Sequence, residues 1–153
     1  MRILIDANLL LRSVQPEHPQ HGVARNAITK LRADGHELVI VPQVIYEFWV
    51  VATRPLEVNG LGLSAARAET EITAALDLHA LYQDDDLLFE AWRALVNHHE
   101  VVGKQAHDAR LVAAMVRHGV THLLTFNAQD FARFSEIVVL TPTDPQAFPP
   151  AVS

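Results

Sequence analysis

The chain has no cysteine, which excludes a disulfide scaffold, a thiol nucleophile and a cysteine-ligated zinc or iron–sulfur centre and fits a reducing compartment. Basic residues are few. Twelve lysines and arginines face 18 acids, giving a formal charge of −6 with the nine histidines neutral. Such a surface has no general attraction for nucleic acid, so any contact with a phosphate backbone must use a local basic patch. Long hydrophobic runs are also missing. The opening MRILIDANLL is too short to span a bilayer and carries Asp6 inside it. Neither a signal peptide nor a membrane span is predicted, and a soluble, cytoplasmic protein is expected. Charged residues make up only 20% of the chain against 50% hydrophobic ones, which excludes intrinsic disorder. A length of 153 residues suits one domain with a real core and is too short for two ordinary ones.

Four short apolar runs, Arg2–Ile5, Glu37–Val41, Thr121–Thr125 and Ile137–Leu140, read as buried strands. Apolar spacing between them predicts a helix over His21–Ala33, stopping near Asp34-Gly35. A second begins at Pro42, which suits a first turn, and runs to Val51. Others run from a Ser64 cap to about Leu78, over Leu88–Val96 behind the acidic Asp84-Asp85-Asp86, and from about Lys104 to Arg117. Arg54–Gly62 is rich in turn residues and reads as a surface loop. Residues 142–153 hold four of the eight prolines and read as an irregular tail, leaving 1–141 as the single predicted domain. Buried strands alternating with helices imply an α/β fold with a mostly parallel central sheet covered on its faces. Ligands of such sheets gather beyond the carboxyl ends of the strands.

Three acids occupy places where a carboxylate is costly. Asp6 ends the apolar N-terminal strand. Glu47, the only acid between Glu37 and Glu57, shares a predicted helix face with Val44, Val50 and Val51. Asp108 shares one with Leu111, Val112 and Met115. A buried carboxylate needs a cation, a donor or a metal. Each acid has an ordinary alternative: a helix cap for Asp6, a core hydrogen bond for Glu47, a helix start for Asp108. Three coincidences at one sheet edge favour a shared cause, and oxygen ligands without cysteine suit Mg²⁺ or Mn²⁺. A fourth element, Thr125-Phe126-Asn127-Ala128-Gln129-Asp130-Phe131, follows another strand. It offers neutral oxygens on Thr125 and Asn127 and a further carboxylate on Asp130, with a turn and helix cap as its plain alternative. Arg12, Lys104, Arg110 and Arg133 are candidate phosphate contacts. His98-His99 and His107 read as surface or capping residues, and Trp49, Phe89 and Trp92 as core positions rather than base-stacking platforms.

Taken in order, Ile3-Leu4-Ile5-Asp6-Ala7-Asn8, Glu47, the run Gly103 to Ala113 (GKQAHDARLVA) and Leu124 to Phe131 (LTFNAQDF) resemble the motifs of a PIN-domain nuclease. More narrowly, they resemble the virulence-associated C-type (VapC) toxins of type II toxin–antitoxin pairs. The resemblance implies a PIN-like three-layer α/β/α fold, a divalent-metal site for Mg²⁺ or Mn²⁺, and endoribonuclease activity on an RNA substrate. Asp6, Glu47 and Asp108 match the family's main acids, and Asp130 or Asn127 takes the variable fourth position. In this reading Asp6, Glu47, Asp108 and Asp130 hold metal and carry catalysis, with Glu47 orienting the attacking water and Thr125 and Asn127 positioning substrate. It also implies a small cognate antitoxin and a homodimer. Two alternatives remain: a non-catalytic PIN-fold binding module, and a phosphatase forming an aspartyl phosphate on Asp6. The second is weakened by Asn8, where that chemistry usually has a second aspartate.

Overall fold

Ile3, Leu4 and Ile5 have no exposed surface, as befits a strand at the centre of a sheet covered on both faces. The computed structural model describes residues 1–153. Its strands are β1 (Arg2–Ile5), β2 (Glu37–Ile40), β3 (Ala80–Leu81), β4 (His122–Leu124) and β5 (Val138–Leu140). All pair in parallel, in the order β3-β2-β1-β4-β5. Leu4 lies opposite Val39 on one side and Leu123 on the other. Around the sheet are α1 (Ala7–Ser13), α2 (His21–Ala33), α3 (Pro42–Thr53), α4 (Ala65–Leu78), α5 (Leu88–His98), α6 (Gln105–His118) and α7 (Ala128–Phe131), giving the expected three-layer α/β/α arrangement. No helix is long and apolar enough to cross a membrane.

Strand order reverses once. The chain steps outward from β1 to β2 and β3, then returns to the opposite side of β1 for β4 and β5. A crevice therefore opens beyond the carboxyl ends of β1 and β4, where connections leave in opposite directions.

Several details differ from the sequence reading. Helix α1 starts immediately after β1, and α7 soon after β4; both are too short to show a full helical period. The two-residue β3 carries no alternation at all. Asp84 and Asp85 are exposed ahead of α5, where Asp85 accepts from the Leu87 N–H at 3.0 Å; beyond that reading, they also pair with α6, Asp84 with Arg110 at 3.1 Å and Asp85 with Arg117 at 2.7 Å. Phe89 is not a core residue. It is 61% exposed and stacks against Trp92 with ring centroids 6.1 Å apart. The 142–153 tail has only a 3₁₀ turn at Pro145–Ala147, yet Phe148 is buried and the Val152 N–H donates to the Asp34 carbonyl at 2.7 Å.

The Arg54–Gly62 loop folds back on itself, with the Gly60 N–H donating to the Pro55 carbonyl at 3.0 Å. A Cβ at Gly60 would lie 1.8 Å from the Arg54 carbonyl oxygen, whereas one at Gly22, in α2, would meet nothing within 4 Å. Backbone cannot yield as a flexible side chain can. Gly60→Ala is therefore expected to destabilise by about 2 kcal/mol or more, and Gly22→Ala to stabilise by up to about 1 kcal/mol. Paired denaturant titrations of the two variants check this.

Candidate active site

Asp6 occupies the first position after β1, caps α1, and is buried. Its Oδ1 accepts from the Ala7 N–H at 2.8 Å. Its Oδ2 accepts from the Thr125 hydroxyl at 2.7 Å and the Asn8 amide at 3.2 Å. The capping reading and the site reading of Asp6 thus describe one residue. Asn8 also donates to the Thr125 oxygen at 3.1 Å and accepts from the Phe126 N–H at 3.2 Å, and Thr125 accepts from the Asn127 N–H at 3.0 Å. These bonds lock the exits of β1 and β4 together and fix the orientation of Asp6. In the sequence Asn8 stands in a motif and in place of a second aspartate; its role of bridging Asp6 and Thr125 depends on a partner 117 residues away and shows no spacing signal.

Glu47 projects from α3 and is half-buried. Of its predicted helix face, Val44 is buried and Val51 partly so, but Val50 is 58% exposed, because one side of α3 faces out. The missing anchor for Glu47 is Gln43, one turn earlier and buried. Gln43 donates to Glu47 at 2.9 Å and to the His107 carbonyl at 2.8 Å, and accepts from Arg110 at 3.1 Å. A buried glutamine needs its polar atoms satisfied, and here the requirement ties α3 to α6. Asp108 lies in the first turn of α6, above buried Leu111, Val112 and Met115 as its spacing predicts.

Asp6, Glu47, Asp108, Asn127 and Asp130 line one crevice, together with Asn8 and the apolar Leu11, Val51 and Phe131. Asp130 and Asn127 are exposed at its rim. Thr125 does not line it; the hydroxyl is wholly buried beneath and engaged with Asp6. Of the candidate phosphate contacts, Arg110 bonds Gln43 and Asp84, Arg12 bonds Gln15, and Arg133 bonds Gln105.

The charges in the crevice are mutually unfavourable. Burial, then repulsion from Asp130, Asp6 and Glu47, pushes the Asp108 carboxyl up to about 6. Burial also raises Asp6, against the bonds from Thr125 and Ala7, and raises Glu47, against the bond from Gln43. His107 and Arg110 offset part of the charge at Glu47. An all-oxygen set of carboxylates lining one crevice, with Asp6, Glu47 and Asp108 at least partly buried, fits a hard divalent cation such as Mg²⁺ or Mn²⁺, whose charge would offset this repulsion.

The model of the PIN domain matches residues 3–137 of this chain. Solved structures share the fold. The chain resembles VapBC2 from Rickettsia felis, bound to a DNA fragment from its promoter, with a TM-score of 0.70 and 13% identity over 92% of this chain and 98% of that one. It resembles the sarcin–ricin loop cleaving toxin VapC20 of Mycobacterium tuberculosis with a TM-score of 0.63 and 21% identity over 86% and 95%. For VapBC-1 from nontypeable Haemophilus influenzae the TM-score is 0.69, with 12% identity over 94% and 99%. No curated protein sequence matches the chain.

The raised Asp108 carboxyl sets a pH dependence for metal-free protein. Its folded value of about 6 exceeds the ordinary 3.8, so the folded state binds the proton more tightly. The stability this contributes is present at low pH and lost as pH rises through about 6. In EDTA, Asp108→Asn should melt close to wild type near pH 4 and several degrees higher above about pH 6.5. A pH-independent difference in Tm would contradict the crowded-carboxylate description.

Proposed function

The chain belongs to the PIN-domain family, and on that premise we propose that it is a Mg²⁺- or Mn²⁺-dependent endoribonuclease and the toxin of a type II toxin–antitoxin pair. The observation that carries this reading is the convergence of Asp6, Glu47, Asp108 and Asp130 on one crevice at the sheet's switch point. These four carboxylates would hold the ion. When bound, such an ion lowers the pKa of water and offsets charge on the scissile phosphate and its leaving oxygen.

The chain's own groups do the rest. Thr125 and Asn8 hold the Asp6 carboxylate in one orientation, so its position need not be found anew for each substrate. Glu47, steadied by Gln43, orients the attacking water and accepts its proton. Asn127 at the rim supplies an amide donor to a phosphate oxygen. Thr125 serves through Asp6 and is a positioning residue. The four acids repel RNA unless a cation is present, so the reaction is strictly metal-dependent.

A small antitoxin partner belongs to the proposal, supported by the toxin–antitoxin assemblies among the structural neighbours; a homodimer and a cytoplasmic location are proposed with it from the family resemblance. The acidic crevice offers a basic side chain of an antitoxin a charge-assisted anchor.

Purified protein should cleave mixed cellular RNA with Mg²⁺ or Mn²⁺ and not in EDTA. Asp6→Asn, Glu47→Gln and Asp108→Asn should each lower cleavage at least about 100-fold, a loss of about 2.7 kcal/mol of transition-state stabilisation, while remaining folded. Unchanged cleavage by any two variants would overturn the site. No cleavage by wild type in either metal would leave a non-catalytic binding module.

Expression of the chain alone should slow growth, and Asp6→Asn should abolish the effect. Co-expression of a small protein encoded beside it should restore growth. Harmless expression of active enzyme would overturn the toxin reading and leave the nuclease.

A further inference from the structure

A second cluster of metal-ligating side chains lies outside the crevice. His98 is the last residue of α5 and His99 caps it, while Glu136 sits in the connection from α7 to β5. One donor atom from each lies within 4.8 Å of the others. His99 Nε2 is 2.9 and 3.0 Å from the two Glu136 carboxylate oxygens. The His99 ring packs edge-on against Phe134, with centroids 5.2 Å apart, and edge-on to His98 at 4.7 Å. Phe134 is buried, so two of the three donors are already held by the core and by each other. His98 is exposed and its ring forms no hydrogen bond within the protein, leaving it free to swing.

We propose that His98, His99 and Glu136 form a second, nitrogen-rich site for a zinc-class divalent ion. Two imidazoles and one carboxylate suit Zn²⁺, Co²⁺ or Ni²⁺ and not Mg²⁺, which prefers all-oxygen surroundings. With bonds of about 2.0–2.1 Å, tetrahedral donors lie roughly 3.3 Å apart. The three donor atoms lie within 4.8 Å of one another; turning the exposed His98 ring inward and opening the 2.9 Å His99–Glu136 contact slightly would bring them to that spacing. Three protein ligands leave the fourth position to water. Binding would exchange any proton on His99 for the ion and turn one hydrogen-bonded contact into three coordinate bonds. The end of α5 would then be tied to the connection that starts beside Asp130 and carries Phe134. This site is independent of the ribonuclease reading, since it shares no residue with the crevice.

The experiment uses untagged, metal-stripped full-length protein. The background is Asp6→Asn/Asp108→Asn, which disables the crevice as a competing site, with Tm measured to establish folding. Zn²⁺ is titrated calorimetrically, and Co²⁺ by its visible absorption. The background protein should bind one Zn²⁺, show a tetrahedral Co²⁺ band and melt higher with Zn²⁺. Adding His98→Ala, a change at an exposed residue, should weaken Zn²⁺ binding at least about tenfold and abolish the band, and Glu136→Gln should do likewise. Mg²⁺ should give no heat in this background. Absence of Zn²⁺ binding would overturn the proposal. Equal binding by His98→Ala would also overturn it, by assigning the ion to other histidines.

Discussion

The hydrogen bond from the Thr125 hydroxyl to Asp6, 2.7 Å long and wholly buried, is the contact on which the crevice depends. It joins the carboxyl ends of two neighbouring parallel strands where strand order reverses. A carboxylate so buried must have donors, and Thr125, Asn8 and Ala7 supply them. Without that satisfaction Asp6 would be neutral or would turn away, and the remaining acids would have no common centre. The fold therefore places negative charge where water is scarce and fixes its direction.

The same arrangement is costly. Asp108 feels Asp130, Asp6 and Glu47, and few cations reach the site. The basic residues of α6 are largely committed elsewhere, Arg110 to Gln43 and Asp84 and Arg117 to Asp85. These pairs hold the segment before α5 against α6. Proteins tolerate such unfavourable clusters where function requires them. A bound divalent cation would offset the repulsion, so the proposed loaded form should differ from the empty one in stability as well as activity.

Much of this was legible in the sequence because burial leaves a strong pattern. The central strand is apolar on both faces, so Ile3 to Ile5 announced it, and Asp6 stood out by ending it. Asp108 was readable from its spacing to Leu111, Val112 and Met115. What was not legible depends on contacts distant in sequence or on elements too short to show a period. α1, α7 and β3 belong to the latter. Gln43 belongs to the former: nothing in its neighbours reveals that it bridges Glu47, His107 and Arg110. Phe89 misled because an aromatic at helical spacing resembles a core residue, and Val50 because an apolar α3 hides which side faces out. His98-His99 showed no ligand spacing because their partner, Glu136, lies 37 residues beyond His99.

The proposed role of the Asp6–Asp108 crevice is to hold a divalent ion. Its most direct test is anomalous diffraction from crystals of the protein soaked in Mn²⁺. A strong manganese peak between the Asp6 and Asp108 carboxylates, with Glu47 and Asp130 turned toward it, is the predicted result. A crevice without a peak at saturating Mn²⁺, with the Asp6 and Asp108 carboxylates pointing apart, would contradict the account.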